Sequence, residues 1–137
     1  NQTSVTVTAT AAAADGTLQT ATAMIAIVNP NAAASVSVSA SPGQISATAS
    51  NAKITLTALV LNAEGVPIDN ALVIFSTTLG TLKPTTAQTD PNNGHAATSI
   101  LTVASVPAGT TGITVTAQSP GVGGALVSGT TTITITP

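Results

Sequence analysis

Apolar and hydroxyl-bearing residues alternate one for one along most of this chain. Val5, Val7 and Ala9 interleave with Thr6, Thr8 and Thr10, which sends the two kinds of side chain to opposite faces of an extended strand. The alternation returns at Val36–Ala40, at Ile113–Ala117 and at Ile133–Thr136. Threonine is β-branched and suits the solvent face of a strand without bringing charge. Two runs are richer in apolar residues. Ile54–Leu61 begins by alternating and ends wholly apolar, and Ala71–Phe75 is continuous. Both read as central strands, with outward Leu and Ile suited to an interface or to cover by a loop. Turn residues separate the runs, at Asn62–Pro67, Asp90–Gly94, Val106–Gly109 and Ser119–Gly124.

The pattern also repeats at a fixed distance. Val5-Thr6-Val7-Thr8-Ala9 reads again as Ile113-Thr114-Val115-Thr116-Ala117, an offset of 113 − 5 = 108. At the same offset Gly16 matches Gly124, Leu18 matches Leu126, Thr22 matches Thr130, and Ile25 and Ile27 match Ile133 and Ile135. An ungapped offset of this kind marks tandem duplication. Residues 30–137 are expected to form one complete unit, and residues 1–29 the closing hairpin of a preceding unit or a connector between subunits. Pro30 cannot continue a ladder, so Asn29–Ala34 is the natural boundary. Ala11–Ala14 has a helix-like composition, but its counterpart Ser119–Val122 reads as a loop, so position outweighs propensity and a hairpin connection is expected.

Short runs at this spacing predict an all-β fold, an immunoglobulin-like sandwich of about seven to nine strands, with the hairpin in front of it. An isolated two-stranded hairpin is marginal in water and needs something to pack on. Three arrangements supply it: the rest of a preceding domain, the chain's own sandwich, or a neighbouring molecule through strand addition or exchange with residues 113–136.

Composition narrows the class. The 137 residues include one Phe, no Trp and no Tyr, so the core must be thin and interdigitated, as between two sheets. Charged residues make up 4%, against roughly 25% in ordinary soluble domains. Mean hydropathy is +0.49, yet no apolar run approaches the ~20 residues a membrane span requires. Asn1 opens directly onto a strand pattern, with no leader-like segment visible. So little charge leaves strand edges unguarded, and surface buried against neighbours or coated with glycan is expected. A net charge of −2 gives no electrostatic reason to expect nucleic acid as a partner. Without cysteine there are no disulfides to read.

Candidate chemistry is sparse. His95 is the single histidine, with Asp90 across a turn and Ser99 expected as a strand neighbour on the same face. A turn-edge polar role explains it more simply than catalysis. Asp90, Asn92 and Asn93, or Glu64 with Asp69, offer oxygens to a hard cation, but neither has the spacing of a calcium loop. Asx turns account for them instead. Lys53, expected to open a strand and guard an edge, and Lys83, before Pro84 at a strand end, make no basic patch. Aromatic platforms for carbohydrate are lacking. Asn1-Gln2-Thr3 fits an N-glycosylation sequon, and the Ser/Thr content leaves O-glycosylation open. No catalytic, cofactor-binding or metal-binding residue is assigned.

Several blocks resemble the bacterial Ig-like domains of the invasin/intimin type (Big-1). Ile54–Ala58 followed by Asn62-Ala63-Glu64-Gly65-Val66-Pro67-Ile68 resembles that family's strand and D-x-x-G-x-P-V segment. Val73-Ile74-Phe75-Ser76 with Leu79-Gly80-Thr81-Leu82 is similar to its V-x-F-S…G-x-L step. Thr89-Asp90-Pro91-Asn92-Asn93-Gly94-His95-Ala96 is similar to T-D-x-x-G-x-A with one residue inserted, and Ile113–Ala117 to V-T-V-T-A. The likeness spans about residues 36–136. Glu64 stands where Asn or Asp is common, and charge is scarcer than in such stalks. The resemblance implies tandem sandwich domains on a bacterial surface that carry a binding tip outward. The expectation is a structural, non-enzymatic module of an extracellular repeat protein, forming a stalk or filament with copies of itself or adjacent repeats. The alternative is an adhesive module acting through loops 62–70, 90–95 or 119–125.

Overall fold

The computed structural model describes residues 4–26 and 31–137. Among them eleven strands follow one another: β1 (Ser4–Ala12), β2 (Leu18–Ala26), β3 (Ser35–Ser41), β4 (Gln44–Ser46), β5 (Ser50–Leu61), β6 (Leu72–Thr77), β7 (Thr81–Lys83), β8 (Thr86–Gln88), β9 (Ala96–Ser105), β10 (Gly112–Pro120) and β11 (Leu126–Thr136). β1 and β2 form a sheet of their own. The other nine divide between a four-stranded sheet, β3-β5-β9-β7, and a five-stranded sheet, β4-β11-β10-β6-β8. The two sheets face each other over a shared core, an immunoglobulin-like β-sandwich as the strand spacing predicts.

The core is built by the alternation read from the sequence. Ile54, Leu56, Ala58 and Val60 of β5 and Leu101 and Val103 of β9 point inward from one sheet. Val73 and Phe75 of β6, Ile113, Val115 and Ala117 of β10, and Ile133 of β11 meet them from the other. Small β-branched side chains suffice because the sheets interdigitate closely, and the single aromatic ring, Phe75, is buried among them. The apolar end of β5 keeps the same alternation: Val60 is buried, while Leu59 and Leu61 on the other face are half-buried. Pro67 bridges Leu61, and the Ile68 N–H donates to the Val60 carbonyl at 2.9 Å, so the following loop folds back along β5.

Three local expectations are corrected. Ser119 and Pro120 are not loop but the last two residues of β10, and Ala11 and Ala12 likewise end β1. The backbone there still has cross-strand partners, Leu126 for Pro120 and Leu18 for Ala12, and the ladder outruns the local turn signal. Lys53 does not open a strand; it is the fourth residue of β5, opposite Thr102 of β9. It does lie outside the β3 ladder, which reaches only to Thr55. Lys83 ends the edge strand β7 as read.

The chain comes into the sandwich at one end and leaves it at the other. Ser35 at the start of β3 pairs with Leu61 at the end of β5. At the opposite end Ser50 pairs with Ser105, and Thr136 lies parallel to Ser46 of β4. β5, with 12 residues, spans about 36 Å between these ends at ~3.3 Å per residue. The sequon at Asn1 and the segment from Ile27 to Pro30, with the first two residues of the expected Asn29–Ala34 boundary, lie outside the described residues.

Candidate functional site

His95 is placed by two successive left-handed residues. Asp90 caps a single 3-10 turn, Pro91–Asn93, its carboxylate accepting from the Asn92 N–H at 2.8 Å and from Asn92 Nδ2 at 3.1 Å. Gly94 at φ 62° and His95 at φ 60° then reverse the chain into β9. The His95 N–H donates to the Asp90 carbonyl at 2.9 Å. The imidazole is turned away from Asp90 and toward Asp69, with Nδ1 at 2.6 Å from Oδ1.

The other side chains weighed with His95 are engaged elsewhere. Ser99, the hydroxyl weighed with His95 in the sequence, points into the core, buried, and donates to the Pro84 carbonyl at 2.6 Å. It is therefore not brought to the imidazole. Asp90 meets His95 through its backbone, and its carboxylate is committed to the turn. Glu64 is exposed at the tip of its own turn, where Asn62 Oδ1 accepts from the Glu64 and Val66 N–H groups at 3.0 and 2.9 Å. Among the described residues no three His, Cys, Asp or Glu side chains converge as metal ligands would. The side chains of His95 and Asp69 are 45% and 37% exposed, and a solvated polar contact of this kind contributes about 0–1 kcal/mol. It works as a clasp between two loops.

A second, buried element of that clasp was not read from the sequence. Thr89 lies in the core-side wall of the same loop pair, and its hydroxyl donates to the Ile68 carbonyl while accepting from the Ala71 N–H at 2.9 Å. The Thr89 backbone adds two more bonds, to Ala71 O at 3.0 Å and from the Asn70 N–H at 2.8 Å. The partners of Asp69 and Thr89 stand 26 and 21 residues away, beyond any local signal.

The loops proposed for adhesion, 62–70, 90–95 and 119–125, gather at the end of the sandwich where the chain comes in. Loop 62–70 follows the end of β5, loop 90–95 precedes the start of β9 opposite Leu59, and Gly121 bridges Ala33.

The most distinctive surface is the β1–β2 hairpin. Its register is that of β10–β11 pair for pair: Val5↔Ile25 answers Ile113↔Ile133, Ala9↔Ala21 answers Ala117↔Gly129, and Ala12↔Leu18 answers Pro120↔Leu126. The turns agree as well. Ala13 N–H to Thr17 O is 2.7 Å, as is Gly121 N–H to Ala125 O, and Gly16 and Gly124 share φ 84°. Burial is where they part. Val5, Val7 and Ile25 are 37%, 48% and 56% exposed, whereas Ile113, Val115 and Ile133 are 0% exposed.

No protein-family profile matches the chain, and no curated protein sequence matches it. Two solved structures do. The D00-D0 domain of intimin aligns with 100% of this chain at 19% identity and a TM-score of 0.55. The D0-D1 domain of intimin aligns with 94% of it at 24% identity and a TM-score of 0.46. The chain spans 66% and 62% of their respective lengths. With the two-sheet core and the strand order above, the chain carries the immunoglobulin-like β-sandwich fold of the intimin type.

Proposed function

We propose that this chain is a structural module of a bacterial extracellular repeat protein, a length of stalk or filament with no catalytic role. The observation that carries the reading is its in-line path: β3 starts at one end of the sandwich, and β11 finishes at the other. The likeness to intimin domains supports a surface setting.

The hydrogen bonding suits such a role. β4 runs parallel to β11, with Gln44, Ile45 and Ser46 opposite Thr134, Ile135 and Thr136. The Ala47 N–H donates to the Thr136 carbonyl at 2.7 Å, and the Thr134 N–H to the Gly43 carbonyl at 3.0 Å. Tension between the two ends shears this parallel patch, so its bonds share the load. Pulling Gly109 away from Thr136 instead unzips β10 from β11, one antiparallel pair at a time.

Single-molecule pulling tests the proposal. Attachment at Ala33 and Thr136 should give a higher rupture force than attachment at Gly109 and Thr136. Equal forces in the two geometries would remove the mechanical reading. The second reading, adhesion, draws on the gathering of loops 62–70, 90–95 and 119–125 at one end. Under it, alanine replacement of His95 and Asp69 together would abolish attachment of the whole chain to host cells.

A further inference from the structure

The bare face of the β1–β2 hairpin has a known complement in kind, because its duplicate is seen with that face covered. Ile113, Val115, Ala117 and Ile133 form one wall of the core, and β3, β5 and β9 supply the other. Val5, Val7, Ala9 and Ile25 occupy the same four positions of the first hairpin.

The two hairpins differ at the place where β3 crosses. A Cβ on Gly129 would stand 2.1 Å from the Val36 carbonyl oxygen and 2.8 Å from the Val36 carbonyl carbon. A Cβ on Gly121 would stand 2.8 Å from the Ala33 carbonyl oxygen. Both obstacles are backbone, which no rotamer change can clear. At the matching positions of the first hairpin, 129 − 108 = 21 and 121 − 108 = 13, the residues are Ala21 and Ala13. The first hairpin thus carries two methyl groups where this chain's own sandwich has glycine pressed against backbone.

We infer that the β1–β2 hairpin supplies the last two strands of a second Ig-like sandwich, and that Ala13 and Ala21 reserve it for a unit other than a copy of this one. The partner is a seven-stranded Ig-like unit with a thin aliphatic core, whose strand corresponding to β3 runs farther from the hairpin than β3 does here. Exchange of the hairpin for β10–β11 between identical molecules is disfavoured by the same two methyl groups. The inference rests on the modular role proposed above and adds to it the identity of the neighbour.

A tandem extension tests it. Residues 31–111 are placed ahead of Ser4 of the whole chain, so that β1–β2 follows them as β10–β11 does in the native unit. One version keeps Ala13 and Ala21; the other carries Ala13→Gly and Ala21→Gly. The readout is amide hydrogen exchange at Val5–Ala9 and Ala23–Ile25. The glycine version should slow exchange there at least ~100-fold over the unextended chain, and the alanine version should not. The direction is the reverse of the ordinary penalty for glycine in a strand. Equal protection in both versions would mean that a copy of this unit fits and would overturn the exclusion. No protection in either would mean that the face is not half of a sandwich. Neither result touches the pulling experiment, which attaches only within residues 33–136. Light scattering of the unextended chain should show monomers at all concentrations. Growth that vanishes when residues 1–30 are removed would show second copies taking the face.

Discussion

Single side chains matter here mainly through the backbone groups they satisfy. Thr89 is the clearest case, because its hydroxyl serves both Ile68 and Ala71 from a buried position. Thr89→Val keeps the shape and strands an N–H and a carbonyl, so unfolding by denaturant should show a loss of about 1–3 kcal/mol. Gly129→Ala drives a methyl into the Val36 carbonyl and should cost about 1–3 kcal/mol in the same assay. Asp15 offers a pH test within the first hairpin. Hydrogen bonds from the Thr17 hydroxyl, and then from the Thr17 N–H, hold its carboxyl below the usual carboxylate range. Because the folded value is the depressed one, the stabilisation is complete above the ordinary value of about 3.9 and fades as pH falls through the folded value. An NMR titration should place the Asp15 midpoint below that of a free aspartate, and Asp15→Asn should remove the acid dependence of the turn's amide exchange.

Elements with the same sequence pattern sit in very different surroundings, and substitution should expose the difference. Leu101→Ala, at a fully buried position in β9, should destabilise the sandwich by about 2–5 kcal/mol. Ile25→Ala, exposed on β2, should change it by less than ~0.5 kcal/mol, as measured by thermal unfolding of the same chain. At this scale the sequence was informative. Period-two alternation located the cores of β1, β3, β5, β10 and β11, and the fixed offset paired β1–β2 with β10–β11 before any register was known. Strand ends were less legible at Ser119–Pro120, because cross-strand pairing carried the ladder past a local turn signal. The Asp90 cap followed from Asx chemistry, whereas the Asp69–His95 contact joins loops whose proximity depends on the whole sandwich. The methyl-for-hydrogen differences at positions 13 and 21 were visible as letters, but they acquired meaning only once β3 was seen to cross Gly129.

The molecule as a whole combines a self-paired hairpin with a nine-stranded sandwich. Removing residues 1–30 should therefore leave the sandwich's unfolding free energy within ~0.5 kcal/mol of that of the full chain, by paired denaturant titrations. A larger loss would mean that the hairpin braces the sandwich it precedes.

Register identity between the two hairpins also bears on inheritance. Where coding segments for residues 4–26 and 112–134 misalign during recombination, the strands they specify remain in frame as a ladder, since every pair in one has its equivalent in the other. An exchange of this kind adds 108 residues, one whole unit, and leaves a hybrid hairpin between old and new. Crossovers beyond Gly129 keep the glycine under β3, and those before it install the alanine that β3 rejects. Repeat number can thus change in a single genetic step, with one position deciding which of the products lose stability.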